Sequence, residues 1–509
     1  MDDRFGSISY GELAPVVSRL GAALQARGIA RGDRFVVALP NWQHAVAFVL
    51  ALNSIGAVTV HLPVTGGERE FTGVIKVSEA KGIVAPAEFR GVDFAALIGG
   101  IAGKFEHLTT RVTVGTDEEF PGWVRFDQLL ADAPADDPVP GQRADASDLT
   151  SLLFTSGSSG DPKGVMHSSN TLGALNTTVA PLYDMGPDDV IFMGAPLGFS
   201  AGLVHGLRLA IFLGATLILQ ESWSADRALE TMAREKATFT LTTPTLLRDL
   251  FASERFPKYA DHLCLQLIFC GGAYVSSGLL RSAHEKLPKT LTSVIWGMTE
   301  GIGTGSRPDT SLERVIETDG RPFLGTELKV VREDGSDADP DEQGDLLMRG
   351  PQRFLGYFKQ PELNEEVFLP GGWFQTGDVA AIDSEGYLKI TARRKELIIR
   401  GGANIAPAEV EEVLVDDPRI QGVAVVDMPD ERLGERVCAC VVASEKGTEL
   451  TLADVVEIAR RKGLAKNKWP ERLEIMESLP LTPAGKVQRT ALREYVRSRI
   501  AAEDAGAPA

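Results

Sequence analysis

The chain has 509 residues, too many for one compact core, so two or three domains are expected. Apolar residues at 44% and charged residues at 24% fit a soluble globular protein, and no apolar run approaches the length of a membrane span. With 52 basic and 70 acidic residues the formal charge is −18, which argues against a nucleic-acid partner.

Met1-Asp2-Asp3-Arg4 shows no basic region followed by an apolar stretch, so no secretory signal is expected. Leu13, Val16, Val17, Leu20 and Leu24 recur at helical spacing and predict a helix over 10–28. Arg31-Gly32-Asp33 is a turn, and Arg34 to Leu39 reads as a strand. A helix over 42–55, a strand over 57–62, a helix over 68–79 and a strand at Gly82-Ile83-Val84 follow. This alternation predicts a mostly parallel sheet with covering helices, an α/β fold. Residues 131–147 read as an exposed connector, after which the alternation resumes and runs to about residue 300. Segments 326–332, 344–349 and 378–391 are shorter and suit a small β subdomain. After Arg394 a new unit is expected, with helix 407–415, strands 422–426 and 437–442, helix 452–462, and a frayed tail from Ala501. Cys264, Cys270, Cys438 and Cys440 form no CxxC pair and suggest reduced thiols in the cytoplasm. The seven histidines have no metal-site spacing.

The central stretch is Thr155-Ser156-Gly157-Ser158-Ser159-Gly160-Asp161-Pro162-Lys163-Gly164, which follows the apolar Leu152-Leu153-Phe154. It holds three glycines, four hydroxyls and one lysine. Successive N–H groups in a glycine-rich turn form an anion-binding concavity. Hydroxyls add donors and Lys163 adds a mobile positive charge, so the stretch reads as a clamp for a polyphosphate. Alone, such a loop is more often a surface turn. It fails the P-loop template, because Lys163 lies between Pro162 and Gly164.

Further signals follow in order. Trp296-Gly297-Met298-Thr299-Glu300 comes after the apolar Val294-Ile295 and is expected just past a strand, where open α/β sheets bind ligands. There a ring can stack on a purine, Thr299 can donate to a phosphate and Glu300 can hold Mg²⁺. Gly271-Gly272-Ala273 is a tight turn after another strand-like run. In Trp373-Phe374-Gln375-Thr376-Gly377-Asp378 the carboxylate can accept from two vicinal ribose hydroxyls. Gly301-Ile302-Gly303-Thr304-Gly305 lacks the third glycine of a dinucleotide fingerprint and does not open a helix. Each of these alone is also compatible with an ordinary turn.

Together with Arg393-Arg394-Lys395, the Gly401-Gly402 turn and Lys486 in Pro483-Ala484-Gly485-Lys486-Val487, these motifs resemble the adenylate-forming (AMP-forming) acyl-CoA synthetase family over nearly the whole chain. The resemblance implies a large N-terminal α/β domain with a β subdomain, residues 1–394, that binds ATP and a carboxylate. It implies a small mobile C-terminal α+β domain, residues 395–509, that carries the adenylation lysine. By the same resemblance, Lys486, Thr299, Glu300 and Lys163 are catalytic and Glu300 holds Mg²⁺. The nucleotide is bound by Thr155, Ser156, Gly157, Ser158, Ser159, Gly160, Gly272, Ala273, Trp296, Gly297, Met298, Thr299, Asp378 and Arg393. Lys395 is the hinge. Phe199, Gly202, Gly271, Gly272 and Gly303 line the acyl pocket, and Gly401 and Gly402 the coenzyme A tunnel. Family members usually carry Tyr where Trp296 stands, Gly where Ala392 stands and, in many, His where Phe199 stands.

Arg34 to Pro63 and Phe192 to Glu230 look most like ligases of alicyclic and aryl carboxylates, the cyclohexanecarboxylate-CoA ligases among them. No Lys or Arg occupies 196–204 or 271–275, which disfavours a second carboxylate on the substrate. The expected reaction is ATP-dependent formation of acyl-AMP and pyrophosphate, then thioester formation with coenzyme A in the cytoplasm. Two rivals stand beside it: loading of a carrier-protein phosphopantetheine, and a non-catalytic nucleotide or acyl-AMP sensor on the same fold. A homodimer, and a lysine acetylase neutralising Lys486, are the further partners considered.

Overall fold

The computed structural model describes residues 6–134, 145–155, 162–444, 450–481 and 486–504. The first helix spans Tyr10–Ala26. Ser9 caps it by accepting from the Glu12 N–H, while the Glu12 carboxylate accepts from the Ser9 N–H. Leu13, Leu20 and Leu24 are its buried face. Helices Gln43–Ser54 and Glu68–Ser78 and strands Arg34–Val37, Val58–His61 and Gly82–Pro86 follow as expected. The strands pair in parallel, with Arg34–Val37 between the other two.

Leu149–Thr155 extends this first sheet in parallel beside Val58–His61. Lys163–Ser168 then turns back antiparallel, with Thr155 opposite Lys163. Residues 155 and 163 therefore end and begin two strands of a hairpin, whereas a P-loop joins a strand to a helix. Gly356–Tyr357 closes this edge against Lys163–Ser168.

The second sheet has parallel strands Thr216–Leu219, Val190–Met193, Phe239–Thr242, Leu267–Gly271 and Leu291–Met298, side by side in that order. Gly301–Gly305 returns antiparallel against Leu291–Met298. Trp296, Gly297 and Met298 thus lie within the strand rather than past it, and Thr299-Glu300 is the hairpin tip. The Gly301–Gly305 run is a strand, which accounts for its failure to open a helix.

The β subdomain is a five-stranded sheet built on Glu327–Val331, Gly344–Arg349, Trp373–Ile382 and Leu388–Arg393. The segment 378–391 expected as one piece is a hairpin, with Asp378 opposite Arg393. A fourth sheet begins at Ile398 and includes Ile420–Asp430, Gly434–Ala443 and Arg472–Met476. Helices Pro407–Val415 and Leu452–Arg461 pack on it through Val410, Leu414, Val455 and Ile458. A further helix, Arg489–Asp504, was not expected, and it takes in residues 501–504 of the stretch read as a frayed tail. Leu492 and Val496 fix it against Ala424, Val426, Cys438 and Cys440. All four cysteines are free thiols, three of them buried. Among the described residues no helix is long and apolar enough to cross a membrane.

Candidate active site

Ser156, Gly157, Ser158, Ser159 and Gly160 lie outside the described residues, but both ends of their loop are described. Lys163 leaves the hairpin with its ammonium 5.3 Å from the centre of the Tyr357 ring, a cation–π distance. The Tyr357 hydroxyl donates to Glu300 Oε1 at 2.7 Å. Burial and the Glu300 charge raise the Tyr357 pKa, so it remains a hydroxyl. Lys163, Tyr357 and Glu300 form a row across three elements. Tyr357 was not singled out from sequence. Only the pairing of Gly356–Tyr357 with the Lys163 strand brings it here.

His167 was also missed. Its Nε2 lies 2.8 Å from the Thr299 carbonyl and its Nδ1 3.0 Å from the Thr171 hydroxyl. Burial lowers its pKa to about 4, so the ring is neutral. The carbonyl can only accept, so the network assigns the proton to Nε2 and leaves Nδ1 to accept from Thr171. This bond ties the Thr299-Glu300 tip to the first sheet.

Asp378 is 1% exposed. Its Oδ1 lies 2.8 Å from Arg393 Nε, and its Oδ2 accepts from Trp296 Nε1 at 2.8 Å. Burial raises its pKa, with Arg393 and the Trp296 bond opposing. Trp296 is itself only 7% exposed. Its ring covers Gly303, where a Cβ would sit 2.3 Å from it. The face of the indole towards Gly303 is covered. Its contact within the site is the hydrogen bond to Asp378.

Lys486 comes from the fourth-sheet unit, yet its Cε lies 3.4 Å from where a Cβ of Gly272 would be. Gly272 has φ +79°, and both it and Ala273 are exposed at this mouth. Much of the Lys486 residue is exposed, but its ammonium end is enclosed. Desolvation of that end, then Arg393, lowers its pKa, while Glu300, Asp378 and Glu396 act in the opposite sense. Lys486, Gly272, Glu300, Asp378 and Arg393 thus converge from motifs more than 200 residues apart in sequence.

Lys395 lies exposed in the short turn Arg394–Glu396. Arg394 Nε bonds to Asp345 of the β subdomain at 2.6 Å. Glu396 is paired at 3.1 Å with Arg489, which also holds Glu411 and the Val425 carbonyl. One neighbour of Lys395 is therefore tied to the large unit and the other to the small one. Gly401 and Gly402 form an exposed turn with φ +57° and +87°, and the Gly401 N–H bonds to the Leu433 carbonyl. The two units also meet where Tyr274 faces Glu412, whose charge adds to burial in raising the Tyr274 pKa, and where Asp416 lies against Gly278 close to Arg248.

A cavity lies under the hairpin tip, with Leu172, Leu175, Ser200, Val204, Met298 and Ile302 among its walls beside Thr299. None of Phe199, Gly202, Gly271, Gly272 or Gly303 lines this cavity. A Cβ at Gly202 would meet the Pro196 carbonyl at 2.4 Å, and one at Gly271 the Ile295 carbonyl at 2.5 Å. With Gly303 under Trp296, these three glycines allow close packing where a Cβ would clash. Phe199 is half-buried in the turn before the π-helical segment Gly202–Arg208, whose neighbours Ser200 and Val204 do reach the cavity.

A family model described as AMP-binding enzyme matches residues 1–358, and one for the AMP-binding enzyme C-terminal domain matches residues 409–486. The chain belongs to the AMP-binding enzyme family. Similar relatives of this AMP-binding enzyme include the medium-chain fatty-acid–CoA ligase of Escherichia coli (strain K12), 34% identical over 98% of this chain and 88% of the relative. The 2,3-dihydroxybenzoate-AMP ligase of Bacillus subtilis (strain 168) is 31% identical over 97% and 90%. Among solved structures, ATP-bound MatB from Rhodopseudomonas palustris superposes with TM-score 0.86 at 29% identity, covering 97% of this chain and 94% of that one.

Proposed function

We propose that this AMP-binding enzyme activates an apolar monocarboxylate with ATP and transfers the acyl group to coenzyme A. The observation that carries the reading is Lys486, presented by the C-terminal unit over Gly272 beside Glu300, Asp378 and Arg393. In the first step a carboxylate oxygen attacks the α-phosphorus of ATP, and the bond to pyrophosphate breaks. Lys486 bridges the carboxylate and the α-phosphate as charge moves onto the oxygens between them. Lys163 and the hydroxyls of the 155–160 stretch hold the phosphates. Thr299 donates to the α-phosphate, its tip held by His167. Asp378 accepts from the ribose hydroxyls, with Arg393 alongside. Residues fit for Mg²⁺ are few, with no cluster of three or more potential ligands among the described residues. A single carboxylate suits an ion that takes its remaining oxygens from nucleotide phosphates and water. Glu300, whose orientation Tyr357 fixes, would hold it, and the ion would neutralise phosphate charge.

The second step needs a thiol where Lys486 stands. A rotation about Lys395 takes Lys486 away and brings the Gly401-Gly402 turn to the entering pantetheine. This makes 1–394 and 395–509 the two moving bodies. The thiolate then attacks the acyl carbon and AMP leaves. The acid's body lies in the cavity under Thr299, whose side walls are mostly apolar and carry no Lys, Arg, Asp or Glu. That favours a branched, cyclic, aryl or medium-chain monocarboxylate, and the medium-chain and aryl specificities named for the relatives agree with it. Acetylation of Lys486 would remove the charge the first step uses.

The test is acid-dependent AMP release with coenzyme A across linear, alicyclic, aromatic and dicarboxylic acids, with the thioester identified by mass. Octanoate- or cyclohexanecarboxylate-sized acids should exceed acetate and malonate in kcat/KM. The highest value with acetate or malonate would refute the pocket assignment. Release of AMP with thioester formed only on a holo carrier protein would replace coenzyme A as acceptor.

A further inference from the structure

The Asp378 carboxylate is pinned from two sheets. Arg393, opposite it in the hairpin, holds Oδ1, and Trp296, from the end of a strand in the second sheet, holds Oδ2. The indole cannot drift: it is wedged over Gly303 and packed with Leu346, Met348, Phe354 and Phe374. A carboxylate has roughly four acceptor positions, so two remain once both donors are placed, one for each of two vicinal hydroxyls. An indole N–H lies on the side of its ring. The phenol O–H of the tyrosine expected at this position lies at the far end of its ring, so it would not reach Asp378 in the same way.

We propose that Trp296 is a positioning residue for the nucleotide: its N–H fixes the plane of the Asp378 carboxylate and thereby the seat of the ATP ribose. The inference rests on the reading of Asp378 as ribose ligand. Losing a hydrogen bond to a charged group costs about tenfold or more in binding. Trp296→Phe keeps an aromatic ring in the slot and removes only the donor. It should raise KM for ATP about tenfold with kcat changed less than about threefold, and it should narrow the preference for ATP over 2′-deoxy-ATP. The donor favours ionised Asp378, so its loss should also move the acid limb of kcat/KM for ATP to higher pH. In an Asp378→Asn background the same substitution should have no further effect on KM for ATP.

Additive effects in that cycle, or a fall in kcat and Tm with KM and the sugar preference unchanged, would leave Trp296 a packing residue only and overturn the proposal. If Trp296→Phe fails to fold, replacing the indole by benzothiophene, which keeps the shape and swaps N–H for sulfur, gives the same readouts. If Asp378→Asn alone alters neither KM for ATP nor the sugar preference, the ribose assignment itself falls and the proposal falls with it.

Discussion

Lys486 shows how one side chain's surroundings set its chemistry. Desolvation and Arg393 pull its pKa below 10.5, against Glu300, Asp378 and Glu396. In the role proposed for Lys486 the first half-reaction uses the cation, so its rate should fall as pH rises through a value below that of a free lysine. Acid-dependent pyrophosphate exchange followed to pH 10 checks this, and Lys486→Arg should remove the limb, because a guanidinium stays charged. Glu300 has a different environment, one oxygen taken by Tyr357 at 2.7 Å. Glu300→Gln keeps the shape and removes the charge, so exchange should drop and its Mg²⁺ requirement rise. An unchanged Mg²⁺ titration would assign the ion to another group.

Between elements, the contacts that join the two units decide which state is populated. Tyr274 on the large unit faces Glu412 on the small one. Tyr274→Phe removes that contact, so the first half-reaction should slow while transfer from supplied acyl-AMP is spared. Lys395→Pro fixes φ near −65° at the proposed pivot and should have the reverse effect, sparing pyrophosphate exchange and abolishing thioester formation. Survival of both half-reactions would move the pivot, Arg394 being next. Much of the element order was legible because it is local. Helix Pro407–Val415 begins with proline and carries buried Val410, Glu411 and Leu414 on one face. Helix Arg489–Asp504 was not legible, because among its described residues only Leu492 and Val496 are fully buried along a strongly charged segment. Among the site residues, motif position pointed to Asp378 and Trp296 separately. Their bond joins residues 82 apart, and no local pattern encodes it. Close approach at Gly202, Gly271 and Gly303 is a three-dimensional fact: the Pro196 and Ile295 carbonyls and the Trp296 ring stand where a Cβ would be, and no local pattern encodes them.

At the scale of the whole molecule, three buried histidines and the half-buried His44 make the fold acid-sensitive. Burial lowers His44 and His167 to about 4 and His61 and His205 to about 3. The unfolded chain protonates them near pH 6.5 and the folded chain does not. Their contribution is therefore complete above pH 6.5 and is lost as pH falls towards 4, at up to about 1.4 kcal/mol per pH unit for each. Tm measured from pH 7 to 4 should fall steeply, and His205→Phe should flatten the fall, since neither His205 nitrogen has a hydrogen-bond partner among the described residues. A curve with no dependence below pH 6.5 would contradict this account. The claim on which the function rests is that one lysine, carried by the small unit, serves the first half-reaction and is absent from the second. Lys486→Ala tests it most directly, with pyrophosphate exchange and thioester formation from supplied acyl-AMP measured on the same preparation. The account predicts a loss of about 10²–10³ in exchange with transfer nearly unchanged; equal losses in both half-reactions would contradict it.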